Sequence, residues 1–262
     1  MTPNYVLQSL IVEYCAEHKI SLEKSERIKK SYFSEGIPRT KAAIQATKLT
    51  VKFLVERLCT RSFGVKKWVS YELRLLAKFG MDNRACIAEE GAISLLVPLL
   101  SSKDPKAEEN DVTALLNLSI YESNKTRTME SGALLQIIRV VRSGCSMEAR
   151  ENVATTLFSI SSVDKYNKLI GESPEAIPAL IDLLRDGTAR GKHDATNALF
   201  HLSAFHGNDL QVVAAGAIPL LVNLLTDERP GPVDDAISVL ALLSRQFEGL
   251  IAINETSIYQ SS

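Results

Sequence analysis

The chain has 262 residues, 45% of them apolar and 23% charged, and its 30 basic and 31 acidic residues leave a net charge of −1. That length and composition suit a globular protein with a sizeable buried core. Near-neutrality argues against a protein devoted to wrapping nucleic acid, and aromatics at 6% are too few for a platform of stacked rings.

At the N-terminus, Thr2 can cap a helix and Pro3 suits its first turn. Val6, Leu7, Leu10, Ile11 and Tyr14 then fall on one stripe, which predicts an amphipathic helix that docks on another surface. Glu13, Glu17 and His18 stand where a secretory signal would need an apolar stretch. Between Ser21 and Lys41, Lys24, Arg27, Lys29 and Lys30 interleave with Glu23 and Glu26, and Gly36 and Pro38 follow. This reads as a solvated connector, and a nuclear-localisation signal is the weaker alternative because acids interrupt the basic run.

Beyond the connector, self-similarity dominates. Stretches like Gly91-Ala-Ile-Ser-Leu-Leu begin at Gly91, Gly132, Glu175 and Gly216, spaced 41, 43 and 41 residues apart. Asn83, Asn124, Asn167 and Asn208 each precede such a start by eight residues. A small residue closes an apolar helix at Ala77, Ser119, Ser161, Ser203 and Ser244, at spacings of 42, 42, 42 and 41. Each unit reads as a short helix, a second helix and a longer third helix. In the second unit these cover about Asn83 to Glu90, Ala92 to Ser101, and Pro105 to Ser119, with Gly91 supplying a sharp turn. Ile93, Leu96, Val97 and Leu100 face inward from the second helix, and Val112, Leu115, Leu116 and Leu118 from the third. Phe53 to Leu58 and Trp68 to Ala77 extend the pattern backward, giving five units from about Ala43 to Thr256. Such a unit cannot bury its apolar face alone, so the units must stack.

No sequence pattern for covalent or metal chemistry emerges. There is no GxSxG elbow, and Gly187 to Lys192 fails as a phosphate loop because Asp186 and His193 stand where Gly and Ser or Thr are needed. His18, His193, His201 and His206 form no metal-ligand spacing, and Cys15, Cys59, Cys86 and Cys145 form no CxxC pair. No cofactor or metal is expected. Asp234 and Asp235 fit the first turn of a helix better than a catalytic pair. No apolar run approaches the ~20 residues of a membrane helix, and the scattered cysteines fit a reducing compartment, the cytoplasm with the nucleus left open.

The strings Gly216-Ala-Ile-Pro-Leu-Leu-Val-Asn-Leu-Leu225 and Ala114-Leu-Leu-Asn-Leu-Ser119, recurring in register, resemble armadillo repeats of the plant type. Thr2-Pro3-Asn4-Tyr5-Val6-Leu7, followed by Ser9-Leu10-Ile11, resembles the closing helix of a U-box, so the whole chain is similar to plant U-box/armadillo ubiquitin ligases. The resemblance implies an all-α fold, a right-handed solenoid superhelix of about five repeats. It divides the chain into the last helix of a U-box at 1–18, a linker at 19–42 and the repeats at 43–262. It also implies substrate recognition by the repeats, with a ubiquitin-conjugating enzyme as partner only where the rest of a U-box is present. The 262-residue chain alone is then expected to be inactive, and the alternative is a non-enzymatic armadillo adaptor. In the family the third helices line a concave groove. Residues two and six before each small marker share one helix face: Tyr71 with Leu75, Thr113 with Asn117, Thr155 with Ser159, Asn197 with His201, and Ser238 with Leu242. By resemblance this face takes protein targets or receptor-kinase segments. Armadillo import adaptors carry repeated Trp and Asn there. At the place two before the marker only Asn117 keeps the Asn, and none of these groove places holds a Trp, so import-signal binding is disfavoured. Lys66, Lys67, Arg150, Arg190 and Lys192, near the starts of third helices, are expected to form a basic edge for acidic or phosphorylated segments.

Overall fold

The structure is a computed structural model that describes residues 41–226 and 232–260. The N-terminal helix of residues 1–18 and nearly all of the connector therefore lie outside the described residues. Helices, numbered here in chain order, account for all the regular structure of the described part. The first unit comprises α1 (Lys41–Leu58) and α2 (Phe63–Lys78). The second comprises α3 (Met81–Glu89), α4 (Ala92–Leu96) with a 3-10 turn at Val97–Ser101, and α5 (Pro105–Ser119). The third comprises α6 (Glu122–Glu130), α7 (Ala133–Ser143) and α8 (Met147–Ser161). The fourth comprises α9 (Asp164–Gly171), α10 (Ala176–Asp186) and α11 (Ala189–Ser203). The fifth comprises α12 (Asn208–Ala214), α13 (Ala217–Thr226) and α14 (Val233–Leu243), and α15 (Phe247–Gln260) follows. Each third helix packs on the next, α2 on α5, α5 on α8, α8 on α11 and α11 on α14, so the five units form one continuous stack.

Local chemistry explains the unit. Ser62, Asp104, Ser146 and Thr188 precede successive third helices at spacings of 42 residues, and each side-chain oxygen accepts a backbone N–H of the first turn. At the second of these, Asp104 accepts from Ala107 N at 2.8 Å and Pro105 occupies the first helical position. Gly91, Gly132 and Gly216 turn the chain between first and second helices with φ of +83°, +74° and +82°, where a side chain is strained. Glu175, at the same place in the fourth unit, has φ −92°. There α9 stops at Gly171, ahead of Pro174, and a tight turn takes over. Pro98 accounts for one departure from expectation: it removes an amide in mid-helix, so the second helix of that unit tightens to 3-10 geometry.

One apolar core runs the length of the stack, from Val51 to Leu243. Ile93, Leu96, Val97, Leu100, Val112, Leu115 and Leu118 are buried in it as expected, whereas Leu116 is only half-buried because it lies toward the face formed by the third helices. The asparagine marker is also structural. Asn83, Asn124, Asn167 and Asn208 are all buried. Asn83 donates to Leu76 O and Phe79 O at the end of α2. Asn124 donates to Leu118 O and to Arg84 O of the preceding unit at 3.1 and 3.0 Å. Asn208 reaches Asn167 O at 2.9 Å. The side chain thus closes the third helix, where carbonyls lack intrahelical partners, and ties first helices of adjacent units. Gly171 permits the last of these contacts, since a Cβ there would meet Asn208 Oδ1.

A second set of contacts reaches forward by 37 residues. Glu108 accepts from Cys145 N at 2.6 Å, and Glu151 accepts from Thr188 N at 3.1 Å. Lys125 donates to Ser162 Oγ at 2.8 Å, and Gln246 donates to Asp209 Oδ2 at 2.6 Å. Asp111 is the exception to this matched polarity. It is buried between α5 and α2, where the units that follow place Val153 and Ala195. Burial pushes its carboxyl up to about 7, nearby Glu108 adds to the rise, and the Ser70 hydroxyl opposes it.

Two outcomes are expected. Asn124→Ala removes two hydrogen bonds from a buried side chain and lowers stability by about 2 kcal/mol in chemical denaturation, whereas the exposed Ser123→Ala changes it by less than about 0.5 kcal/mol. The Asp111 carboxyl is harder to ionise in the fold than in the unfolded chain. Its penalty is absent below pH 3.8, grows as pH rises toward 7 and is complete above that. Asp111→Val is therefore expected to raise stability at pH 8 by on the order of 3 kcal/mol and to have little effect at pH 4, measured as paired thermal melts.

A candidate binding groove along the third helices

The side chains on the third-helix row divide into a largely hydrogen-bonded floor and an exposed rim. A polar chain runs along the floor from unit to unit. Arg74 of α2 reaches Asn110 Oδ1 of α5 at 3.0 Å and Glu109 Oε1 at 3.5 Å. Asn152 of α8 donates to Thr113 Oγ1 at 3.1 Å and accepts from Arg190 of α11 at 2.6 Å. Thr155 donates to Asp194 Oδ2 at 2.6 Å, and His193 Nε2 lies 3.3 Å from Asp235 Oδ2 of α14. Asn110, Asn152 and Asp194 recur every 42 residues and are buried. That spacing was the signal from which they could have been found, but three different polar roles at one position hid it.

The expected groove residues sit on this row. Asn117 donates to Arg74 O at 3.1 Å and Ser159 to Ser119 O at 2.9 Å, so both bridge to the preceding third helix. Thr113 and Thr155 belong to the polar chain itself, each with its hydroxyl also close to a carbonyl one turn back. Asn197 is half-buried, with its amide 3.2 Å from His193 Nδ1. His201 stacks on Phe158 of the preceding helix with ring centres 5.3 Å apart and meets Phe200 edge-on at 5.6 Å. Burial holds its imidazole below the ordinary value, Asp164 opposes the shift and Lys125 adds to it. Tyr71 and Ser238, at opposite ends of the row, are exposed, while Leu75 and Leu242 are half-buried.

The five cations of the expected basic edge are not equivalent. Lys67 pairs with Asp104 at 2.8 Å, Arg150 donates to Val141 O at 2.8 Å, and Arg190 bonds Asn152 with Asp194 3.6 Å away. All three are engaged within the chain: Lys67 and Arg190 by residues of an adjacent unit, Arg150 by a carbonyl of the preceding helix, and Arg190 also by Asp194 one turn on. Lys66 and Lys192 are half-buried.

Residues 51–258, nearly the whole stack, match the family described as the plant U-box protein ARM repeat region. The chain belongs to that family. It is 38% identical over 255 residues to U-box domain-containing protein 16 of Arabidopsis thaliana, covering 97% of this chain and 36% of that protein. It is 44% identical over 265 residues to U-box domain-containing protein 1 of Medicago truncatula, covering 98% and 38%. The chain thus spans little more than a third of the length of these relatives. Among solved structures, it superposes with TM-score 0.72 and 23% identity on computationally designed armadillo repeat proteins for modular peptide recognition, covering 79% of this chain and 88% of that one. A designed armadillo repeat protein in complex with the peptide (KR)4 gives TM-score 0.66 and 19% identity, covering 83% and 98%. The fold is therefore the all-helical armadillo solenoid that the repeats implied.

The His201 ring is expected to titrate with a midpoint below ~6.5 and to be neutral at pH 7.5, as followed by NMR of the imidazole. Phe158→Ala removes the stacked ring and is expected to move that midpoint upward.

Proposed function

We propose that this chain is the target-recognition module of a plant U-box ubiquitin ligase, its third-helix row receiving an extended segment of the target. The single observation that carries this reading is the match of residues 51–258 to the ARM repeat region of plant U-box proteins. The geometry is compatible with it. A row of five third helices offers one uninterrupted face, and Asn110, Asn152 and Asp194 of its floor are hydrogen-bonded within the chain. Exposed Tyr71, His193 and Ser238 and the half-buried Asn197 and His201 supply donors, acceptors and rings along it. The designed relatives of the same fold are described as recognising peptides, which supports a peptide-like ligand here. Lys66 and Lys192 are the members of the proposed basic edge best placed to meet an acidic or phosphorylated part of the target.

On this reading the array contributes proximity, holding the target while a U-box-bound conjugating enzyme delivers ubiquitin, and no residue here carries ubiquitin covalently. Such a ligase would act in the cytoplasm or nucleus.

The test uses target segments from a peptide array, with binding measured by calorimetry. Tyr71→Ala together with Asn197→Ala is expected to weaken capture at least ~10-fold with an unchanged thermal midpoint. With conjugating enzyme, activating enzyme and ATP, the chain alone is expected to transfer no ubiquitin, while fusion of a U-box to its N-terminus restores transfer to a bound target. Binding indifferent to the double substitution, or transfer by the chain alone, would overturn the reading.

A further inference from the structure

Charge is segregated along the third helices. From the second unit on, no Asp, Glu, Lys or Arg occurs in residues 112–119, 153–161, 195–203 or 236–244. The charges of these helices are confined to their first halves, among them Lys106, Glu109, Glu148, Arg190 and Asp234. The uncharged halves hold the places two, three and six before each small marker, and of these only His201 can take a charge.

The place three before the marker lies at the seam between neighbouring units. Arg74 reaches Asn110 of the next unit at 3.0 Å, and the Phe158 ring lies 5.3 Å from the ring of His201 in the next unit. Leu116 and Phe200 occupy the same repeat position, each 42 residues from Phe158. Thr113, Thr155 and Asn197 stand three residues earlier, so these seam residues share the groove face of their helices. All three are half-buried, and His201 adds a ring 5.6 Å from Phe200. Each of these seams has a unit on both sides, so what stays open there is groove surface and not the end of the stack.

A charged side chain laid on this strip loses water and meets no opposite charge in return. A cation is already disfavoured there: burial holds the imidazole of His201 below its ordinary value, and Lys125 adds to the fall while Asp164 opposes it. Apolar groups, by contrast, gain by covering Leu116, Phe158 and Phe200. Third helices packed at ~8–10 Å put Leu116 and Phe200 about 16–20 Å apart, the reach of about six extended residues.

We propose that the seams at Leu116, Phe158 and Phe200 are the specificity site of the groove, selecting an extended target segment that bears aromatic or aliphatic side chains. The inference rests on the groove reading above and narrows it. Apolar side chains of the target lie over the three seams, and its charged residues lie outward, over the first halves of the helices. Phe158 and Phe200 do the selecting. Asn117 and Ser159, bonded across the units, hold the helices at the spacing that keeps the seams open.

The probes are four nine-residue peptides of serine in which positions 3, 5 and 7 are all Phe, all Ala, all Glu or all Arg. Affinity for the 262-residue chain is measured by fluorescence anisotropy. The Phe peptide is expected to bind at least ~10-fold more tightly than each of the others, and to shift the imidazole NMR signals of His201 as it binds. Phe158→Ala and Phe200→Ala are each expected to cut that preference to less than ~3-fold, while Phe158→Leu keeps it. Leu135→Ser, at a position 72% exposed on α7, should change nothing. Circular dichroism checks the helix content of each variant, and the His201 readout needs no variant. Equal affinity for the four peptides, a preference for Glu or Arg, or binding of the Phe peptide that leaves His201 unmoved would each overturn the inference. Where the Glu or Arg peptide binds tightest and Tyr71→Ala with Asn197→Ala weakens it, the groove stands as the target site and only this inference falls.

Discussion

The interface between consecutive units is the constraint on which the structure depends. A unit of three short helices has more apolar surface than it can fold upon itself, and its neighbours must cover the rest. Val112, Ala154 and Thr196 show the consequence: a side chain at one repeat position is wholly buried because another unit follows. Hydrogen bonds then fix what apolar contact alone would leave free to slide. Glu108 to Cys145, Glu151 to Thr188 and Lys125 to Ser162 all span 37 residues, so a slip of one unit against the next breaks several at once. Burial supplies most of the driving force and these bonds specify the register.

The same constraint shapes the candidate groove. Sequence spacing puts Asn117, Thr155 and Ser159 on one face, and the structure places them there, yet each donates to a neighbouring unit. They hold the floor together, and the groups most open to a ligand are others on the row, such as Tyr71, His193 and Ser238. A floor of this kind can be rigid before a ligand arrives, which lowers the cost of binding. Stability and recognition are thus assigned to different atoms of the same helices.

Much of the fold was legible because repetition converts weak local signals into strong ones. A single glycine says little, but Gly91, Gly132 and Gly216 at one position state that a left-handed residue is needed there. Asn83, Asn124, Asn167 and Asn208 were visible for the same reason, and the structure supplies the cause for Asn83, Asn124 and Asn208 in the carbonyls their side chains bind. Signals stayed hidden where one role is filled by different residues. Ser62, Asp104, Ser146 and Thr188 all cap third helices, but the letters differ and only the shared side-chain oxygen unites them. The engagement of basic residues within the chain was hidden for another reason. Lys67 and Arg190 look free in sequence because Asp104 and Asn152 lie 37 and 38 residues away, and only the stacking brings them together.

Departures from the repeat carry the individual character of the chain. Pro98 lies inside a second helix and tightens it, whereas Pro178 and Pro219 sit near helix starts, where a missing amide costs little. Asp111 puts a carboxyl where the following units hold Val153 and Ala195, so the joint between the first two units differs from those beyond it in its response to pH. In an array whose stability is a sum over neighbouring units, a weakness at one joint is felt locally before it is felt globally. Ionisation of Asp111 is therefore expected to loosen the packing of α2 on α5 while leaving α8 on α11 untouched, and Tyr71, beside the Ser70 that faces Asp111, and Arg74, bonded to the neighbouring Asn110, are the groove residues expected to shift with it.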